Sequence, residues 1–296
     1  MIFLLFLLLF FNQNDFKGFL NKDLAKEYAI KLGCENFFES KIDGVTYYLP
    51  CNSREEMNEN YAQQQIKPKV TELWDPEPTQ INPGLTDSDP PSDAVVLFDG
   101  NNLDGWTHKD GKEAEWIVEN GYFTIKPGSG SIITKNSFGS CQLHIEFRSP
   151  SVIVSEGQGR GNSGVYFMED PNKSGDTGYE IQVLDSYNNR TYSNGQAGSV
   201  YKQHIPLVNA SKKPGEWQTY DIVFKAPVFN AKGRVETPAY ITVLHNGVLI
   251  QNNVQIQGHV KFIGYPEYIA HPSRLPIKLQ DHGNLVSYRN IWIREL

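Results

Sequence analysis

The segment Tyr179-Glu180-Ile181-Gln182-Val183-Leu184-Asp185 sets two carboxylates and an amide at close spacing. Side chains of a strand alternate between faces, so Glu180 and Gln182 share one face and Tyr179, Ile181 and Val183 the other. A bulge at Val183-Leu184 would turn Asp185 to the Glu180 side. Upstream, Arg160-Gly161-Asn162-Ser163-Gly164-Val165-Tyr166-Phe167 adds a guanidinium and an amide beside a second strand. Such groups on one sheet can grip a polyol or move protons, which points to sugar chemistry.

Further residues of the same kind follow. In Leu279-Gln280-Asp281-His282-Gly283, Gln280 and His282 fall on one face by parity, and Arg289 opens the last strand. Histidine exchanges a proton near neutral pH, although a loop histidine can also serve only to satisfy backbone groups. Trp217, after Pro214-Gly215-Glu216, can stack on a sugar ring or belong to the core. His144, Glu146 and Arg148 alternate with Leu143, Ile145 and Phe147. Their spacing fits no zinc pattern, so the default is a polar sheet face, with Glu146 a candidate for the same site.

The elements that must position these residues are mostly strands. From Ala94 onward, short apolar runs alternate with turn residues. Trp116–Glu119 and Tyr122–Ile125 are joined by Asn120-Gly121, a strong hairpin signal. Val95–Phe98, Ser131–Thr134, Gln142–Arg148, Gly164–Phe167, Tyr179–Leu184, Gln218–Lys225, Tyr240–His245, Val248–Val254, Ile277–Gln280 and Arg289–Arg294 read as further strands, with no long amphipathic helix among them. This predicts an all-β fold of two packed antiparallel sheets, a jelly-roll β-sandwich, whose polar concave face is the natural site. The spacing E-x-Q-x-x-D resembles the E-x-D-x-x-E strand of laminarinase-type glycoside hydrolases, also jelly rolls. The amide of Gln182 cannot titrate, however, so a double displacement between two carboxyl groups is disfavoured.

Upstream, residues 21–66 are expected to form a small α/β extension. Leu24, Tyr28 and Leu32 have helical spacing, Gly33 is a stop, and Val45–Leu49 reads as a strand ended by Pro50. Residues 67–93, rich in proline, read as an extended linker. Residues 1–20 open with an apolar run, Met1–Phe11, too short to span a bilayer. It fits the core of an export signal but lacks a basic flank and a clean cleavage site. The expectation is an exported protein (periplasmic, cell-surface or secreted), touching a membrane only if that segment is retained. Cys34 and Cys51 can pair in an oxidising compartment, while Cys141 reads as a small buried residue.

The 296 residues carry 27 basic and 34 acidic groups, a formal charge of −7, with no long basic run, so nucleic acid is not an expected partner. Nor are there dinucleotide or phosphate loops or a nucleophile elbow.

Five segments taken together resemble one family. They are Val96-Leu97-Phe98-Asp99-Gly100-Asn101-Asn102-Leu103-Asp104-Gly105-Trp106, Gly161-Asn162-Ser163-Gly164-Val165-Tyr166, Tyr179–Val183, Gly215-Glu216-Trp217, and Leu279–Gly283 with Arg289-Asn290-Ile291-Trp292-Ile293. In this order they resemble the 3-keto-disaccharide hydrolase family, over residues 94–296. The resemblance implies a concanavalin/laminarinase-like jelly roll, usually exported, acting on glycosides already oxidised to a ketone at C3. Such a ketone acidifies the C2 hydrogen. A base removes it, an enolate forms, the C1 substituent is eliminated, and water adds back. The site then needs a base, a donor to the enolate oxygen and an acid for the leaving group. Glu180 and His282 are the candidates for base and acid. Arg160 or Arg289 would face the enolate, with a divalent cation as the alternative electrophile. Asn162, Gln182 and Gln280 would hold hydroxyls, with Glu146, Asp185 and Trp217 as further contacts. The competing reading is a noncatalytic carbohydrate-binding module of the same fold.

Overall fold

A computed structural model describes residues 16–65 and 71–296, so the predicted apolar segment Met1–Phe11 lies outside the described residues. The chain divides into two compact units at Thr79/Gln80.

The first unit contains helix α1 (Lys22–Leu32), strands β1 (Phe37–Ile42) and β2 (Val45–Pro50), and helix α2 (Arg54–Gln65). Asn21 caps α1 by accepting from the Asp23 N–H, and Gly33 ends it at φ 76°. Asp43 and Gly44 both take positive φ, which closes the β1–β2 hairpin as a tight turn. Cys34 and Cys51 are disulfide-bonded beside Ala29, Leu49 and Met57, a core too small to stand on apolar burial alone. Among the described residues, no helix is long and apolar enough to cross a membrane.

The second unit is the predicted β-sandwich. Its strands are β3 (Val95–Phe98), β4 (Trp106–His108), β5 (Ile117–Glu119), β6 (Tyr122–Thr124), β7 (Ile132–Thr134), β8 (Cys141–Arg148), β9 (Ser163–Phe167), β10 (Tyr179–Val183), β11 (Gln218–Lys225), β12 (Val228–Phe229), β13 (Val235–Thr237), β14 (Tyr240–His245), β15 (Val248–Gln255), β16 (Lys278–Leu279) and β17 (Ser287–Glu295). One antiparallel sheet runs β10-β9-β16-β7-β4. The other runs β15-β14-β11-β8-β17-β6-β5, with β3 also on β17. Their inner faces share one core, including Val165, Ile181, Leu279 and Ile132 from the first sheet and Leu143, Ile145, Phe147, Ile222 and Ile293 from the second. Each inward residue is flanked by outward ones, and the outward face of the five-stranded sheet is polar.

Two tyrosines reach across that core and fix the strands that matter. Tyr220 Oη donates to the Gln182 carbonyl at 2.8 Å. Tyr288 Oη donates to Ser163 Oγ at 2.6 Å, and Ser163 Oγ donates onward to the Gln280 carbonyl, also at 2.6 Å. Strands β10, β9 and β16 are thereby pinned from behind by the opposite sheet. Buried hydroxyls of this kind must be satisfied, so the pins also specify register.

The Pro-rich stretch differs from its expected role as an extended linker. Its second half belongs to the sandwich unit. There the Ser88 carbonyl accepts from Asn290 Nδ2 at 2.9 Å and Trp292 Nε1 at 3.0 Å, and Arg294 pairs with Asp93 at 2.6 Å. Side-chain amide, indole and guanidinium donors on β17 thus hold Ser88 and Asp93 against the sheet.

Candidate active site

The pairing register lays two rows of side chains across the outward face of the five-stranded sheet. Glu180 stands opposite Tyr166, Tyr166 opposite Lys278, Lys278 opposite Ile133, and Ile133 opposite Thr107. One step along, Gln182 is opposite Gly164, whose carbonyl accepts from the Gln280 N–H. The segment after β10 folds back along its free edge. The Gln182 N–H donates to the Ser199 carbonyl, the Gly198 N–H to the Gln182 carbonyl, and the Tyr201 N–H to the Glu180 carbonyl. Tyr192 and Tyr201 join the wall in this way, their hydroxyls 2.6 Å apart.

These walls enclose a cavity of about 690 Å³ lined by Gln158, Asn162, Tyr166, Asp176, Glu180, Gln182, Tyr192, Tyr201, Val260, Phe262, Gln280 and His282. A volume of this order suits a sugar-sized ligand. The sequence-predicted Glu180, His282, Asn162, Gln182 and Gln280 therefore converge on one cavity, although His282 and Glu180 are about a hundred positions apart in the chain.

Glu180 lies at the cavity floor and is 4 % exposed. Burial is the chief cause that pushes its carboxyl up to about 8. The Tyr166 hydroxyl opposes that shift, nearby Asp176 adds to it, and Lys278 opposes it. Tyr166 is itself buried, which raises its phenol well above the ordinary range and keeps it a proton donor at neutral pH. Gln280 Nε2 donates to Tyr166 Oη at 2.9 Å, while Gln280 Oε1 is buried with no hydrogen-bond partner. A buried acceptor left open in a cavity wall suits a ligand hydroxyl. Gln182 Nε2 is held by Asn162 Oδ1 at 2.9 Å, and Asn162 Nδ2 donates to the Gln158 carbonyl at 2.6 Å. This chain of amides orients the wall next to Glu180. His282 is exposed at the mouth.

Two groups on this face carry no expectation from the sequence. Lys278 is 2 % exposed, its ammonium 3.7 Å from the Tyr166 ring centroid and paired with Asp176 at 2.8 Å and Glu169 at 3.0 Å. Tyr166 is the other. The signal that finds both is parity: Lys278 shares the face of Gln280, and Tyr166 that of Gly164.

The other expected residues stand elsewhere. Arg160 Nε donates to Asp185 Oδ2 at 2.6 Å and its Nη2 to the Tyr187 carbonyl at 2.8 Å. Both residues border a small separate recess. No bulge carries Asp185 to the Glu180 face, because β10 ends at Val183 and the Asp185 N–H bonds the Arg160 carbonyl instead. Glu146, Arg289 and Trp217 belong to the eight-stranded sheet. Arg289 is register partner to Glu146, donates to it at 2.6 Å, and lies 4.3 Å from the Trp217 ring. Leu143, Ile145 and Phe147 take the inner face of β8, so Glu146 must point outward, away from the five-stranded sheet. His144 stacks on Trp292 with its Nδ1 2.6 Å from Asp221 Oδ1. Burial alone would lower the His144 pKa, but Asp221 and Glu146 outweigh it and hold the imidazolium to about 9.

As for a divalent cation, no group of three or more His, Cys, Asp or Glu side chains among the described residues is gathered to hold one. The cavity's donors are mostly amides and phenols, which suit hydroxyls better than a hard cation.

Comparison with known proteins bears on the fold and the family. No curated protein matches the chain. A candidate glycosyl hydrolase from Parabacteroides distasonis, of known structure, is 45 % identical, with 78 % of this chain and 97 % of that one covered and a TM-score of 0.72. A second from the same organism is 21 % identical over 69 % of this chain and 94 % of its own, with a TM-score of 0.52, and so shares the fold. Residues 93–294 match the 3-keto-α-glucoside-1,2-lyase-like domain. The chain therefore belongs to the 3-keto-disaccharide hydrolase family.

Proposed function

We propose that the protein cleaves the glycosidic bond of 3-keto-glycosides by proton abstraction at C2, elimination at C1 and hydration. The observation that carries this reading is the meeting of Glu180 and His282 in one cavity, with the Glu180 carboxyl protonated at neutral pH. A neutral carboxylic acid on the floor can donate a proton, and an imidazole at the mouth can accept one.

In this mechanism His282 takes the C2 proton, and the C2–H electron pair flows into the C3 carbonyl to give the enolate. Tyr166 Oη and the remaining Nε2–H of Gln280 donate to the developing oxyanion, because the two arginines are committed elsewhere and Gln182 Nε2 is spent on Asn162 Oδ1 and the Ser163 and Val183 carbonyls. The enolate then re-forms the C3 carbonyl and expels the C1 oxygen, which takes the Glu180 proton as the C1–O bond breaks. Water then adds across the C1–C2 double bond: Glu180 takes its proton as its hydroxyl bonds C1, and His282 returns the stored proton to C2, giving the 3-keto sugar and a free alcohol and restoring both residues. An ordinary two-carboxylate glycosidase is disfavoured by Gln182 beside Glu180.

Turnover of a 3-keto-α-glucoside in D2O tests the roles separately. Glu180→Gln and His282→Ala are each expected to lose about 10²–10⁴-fold in rate. Glu180→Gln should still exchange the C2 hydrogen for deuterium, and His282→Ala should not. Binding without turnover by the wild-type protein would instead establish a carbohydrate-binding module. The same proposal places the protein outside the cytosol, where the Cys34–Cys51 bridge would persist. Cell fractionation checks that placement.

A further inference from the structure

The cavity's rim holds a feature that the proton chemistry does not use. The segment from Gln257 to Glu267 forms a loop whose legs are tied down. The Gln257 N–H donates to Gln203 Oε1 at 2.7 Å, and Gln203 Nε2 donates to the Gly258 carbonyl at 3.0 Å. The Val260 N–H bonds the Gly178 carbonyl and the His259 N–H the Glu267 carbonyl. Gly258, at φ 152°, permits the crossing, since a Cβ there would sit 2.3 Å from the Glu267 carbonyl carbon. Out of this anchored base Phe262 projects into the cavity lining while staying 69 % exposed. A phenyl ring this exposed on the wall of a polar cavity keeps open apolar surface, and the C–H face of a pyranose is a fitting partner for it.

What fixes the ring is Lys202. It adopts a left-handed backbone, φ 58°, unusual for a residue with a side chain. Its ammonium lies 4.2 Å from the Phe262 ring centroid, 5.5 Å from Tyr192 and 5.9 Å from Tyr201, and donates to the Phe262 carbonyl at 2.5 Å. One cation thus ties three aromatic rings of one cavity wall, and strain at a non-glycine position is commonly held where it serves a site.

We infer that Phe262 is a specificity-determining platform that stacks on the glycoside, and that Lys202 is the positioning residue that holds this platform in place. The inference rests on the reading of the cavity as a saccharide site. Kinetics on a 3-keto-α-glucoside, calorimetric binding of methyl 3-keto-α-glucoside and hydrogen exchange of the free protein test it together. Phe262→Ala is expected to raise KM and Kd about tenfold with kcat within about twofold, and Phe262→Trp to restore both. Lys202→Met should raise KM and speed exchange of the amides at 260–265 in the absence of ligand. An unchanged KM in Phe262→Ala, or a loss carried by kcat, overturns the platform. Unchanged exchange in Lys202→Met overturns the latch. If the wild-type protein binds the methyl glycoside without turning anything over, and Phe262→Ala weakens that binding, the reaction fails while the platform stands. A wild-type protein that does not bind it at all removes the platform too.

Discussion

A carboxyl group buried as deeply as Glu180 links the chemistry of the cavity to the stability of the chain. Its ordinary value is 4.5 and its folded value about 8. Between those values the folded protein holds a proton that the unfolded chain releases. Stability therefore declines as pH rises through that window and levels off above it. Glu180→Gln keeps the shape and removes the titration. Melting temperatures measured at pH 4.5 and pH 9 should show the variant gaining on the wild type at the higher pH. A wild-type-to-variant gap of equal size at both would mean that the carboxyl ionises freely in the fold. The cluster on the other sheet runs the opposite way at acid pH. Glu146 is buried, which would raise its pKa, yet bonds from His144, Asn290 and Arg289 bring it down to about 2. Its contribution is whole above 4.5, declines as pH falls from there and is gone below about 2, so the cluster weakens progressively in acid. His144 contributes below 6.5 and loses that contribution as pH rises through about 9. Asp221→Asn should accordingly lower the melting temperature more at pH 6 than at pH 10, a difference that calorimetry at the two values can read.

Strands β9 and β10 place Glu180 by leaving room for it. A Cβ on Gly164 would lie 2.6 Å from Glu180 Oε1 and 2.7 Å from the Tyr166 ring, so glycine at this position is set by close approach of side chains, not by a turn. Gly164→Ala should displace the carboxyl and the phenol together, cutting turnover at least tenfold with far-ultraviolet circular dichroism unchanged. Full activity in that variant would remove the Glu180–Tyr166 pair from the mechanism. Most of this was legible in the sequence at the level of single strands. Val95–Phe98, Gln218–Lys225 and Tyr240–His245 fall where alternation and turn residues put them, and β9 and β10 do so to within one residue. Less visible were β1, β4, β12, β13 and α2, which are short or weakly patterned and take their order from neighbours. Lys278 and Tyr166 were hidden for a related reason. A lysine between Ile277 and Leu279 looks like an ordinary outward residue until Tyr166 and Asp176 are known to stand beside it.

The whole molecule explains why some predicted site residues converge and others do not. Parity tells which face of its own strand a residue takes, but not which sheet the strand joins. That is settled by pairings such as Lys278 with both Ile133 and Tyr166, distant in sequence. Glu146 and Arg289 do meet, as a polar pair on adjacent strands, but on the outer face of the other sheet. The division at Thr79/Gln80 carries the last consequence. The first unit has a small core closed by the Cys34–Cys51 bridge, 17 positions apart, a loop for which a disulfide contributes about 3 kcal/mol. The second unit holds only Cys141, which is buried, unpaired and pushed up to about 12, chiefly by burial, so its thiol is inert. Mild reductant should then destabilise the first unit alone. Proteolysis under reducing conditions is expected to cut within residues 16–65 while turnover of a 3-keto-α-glucoside persists undiminished. Parallel loss of turnover and of the first unit on reduction would mean that the site in the sandwich depends on the small unit for its shape.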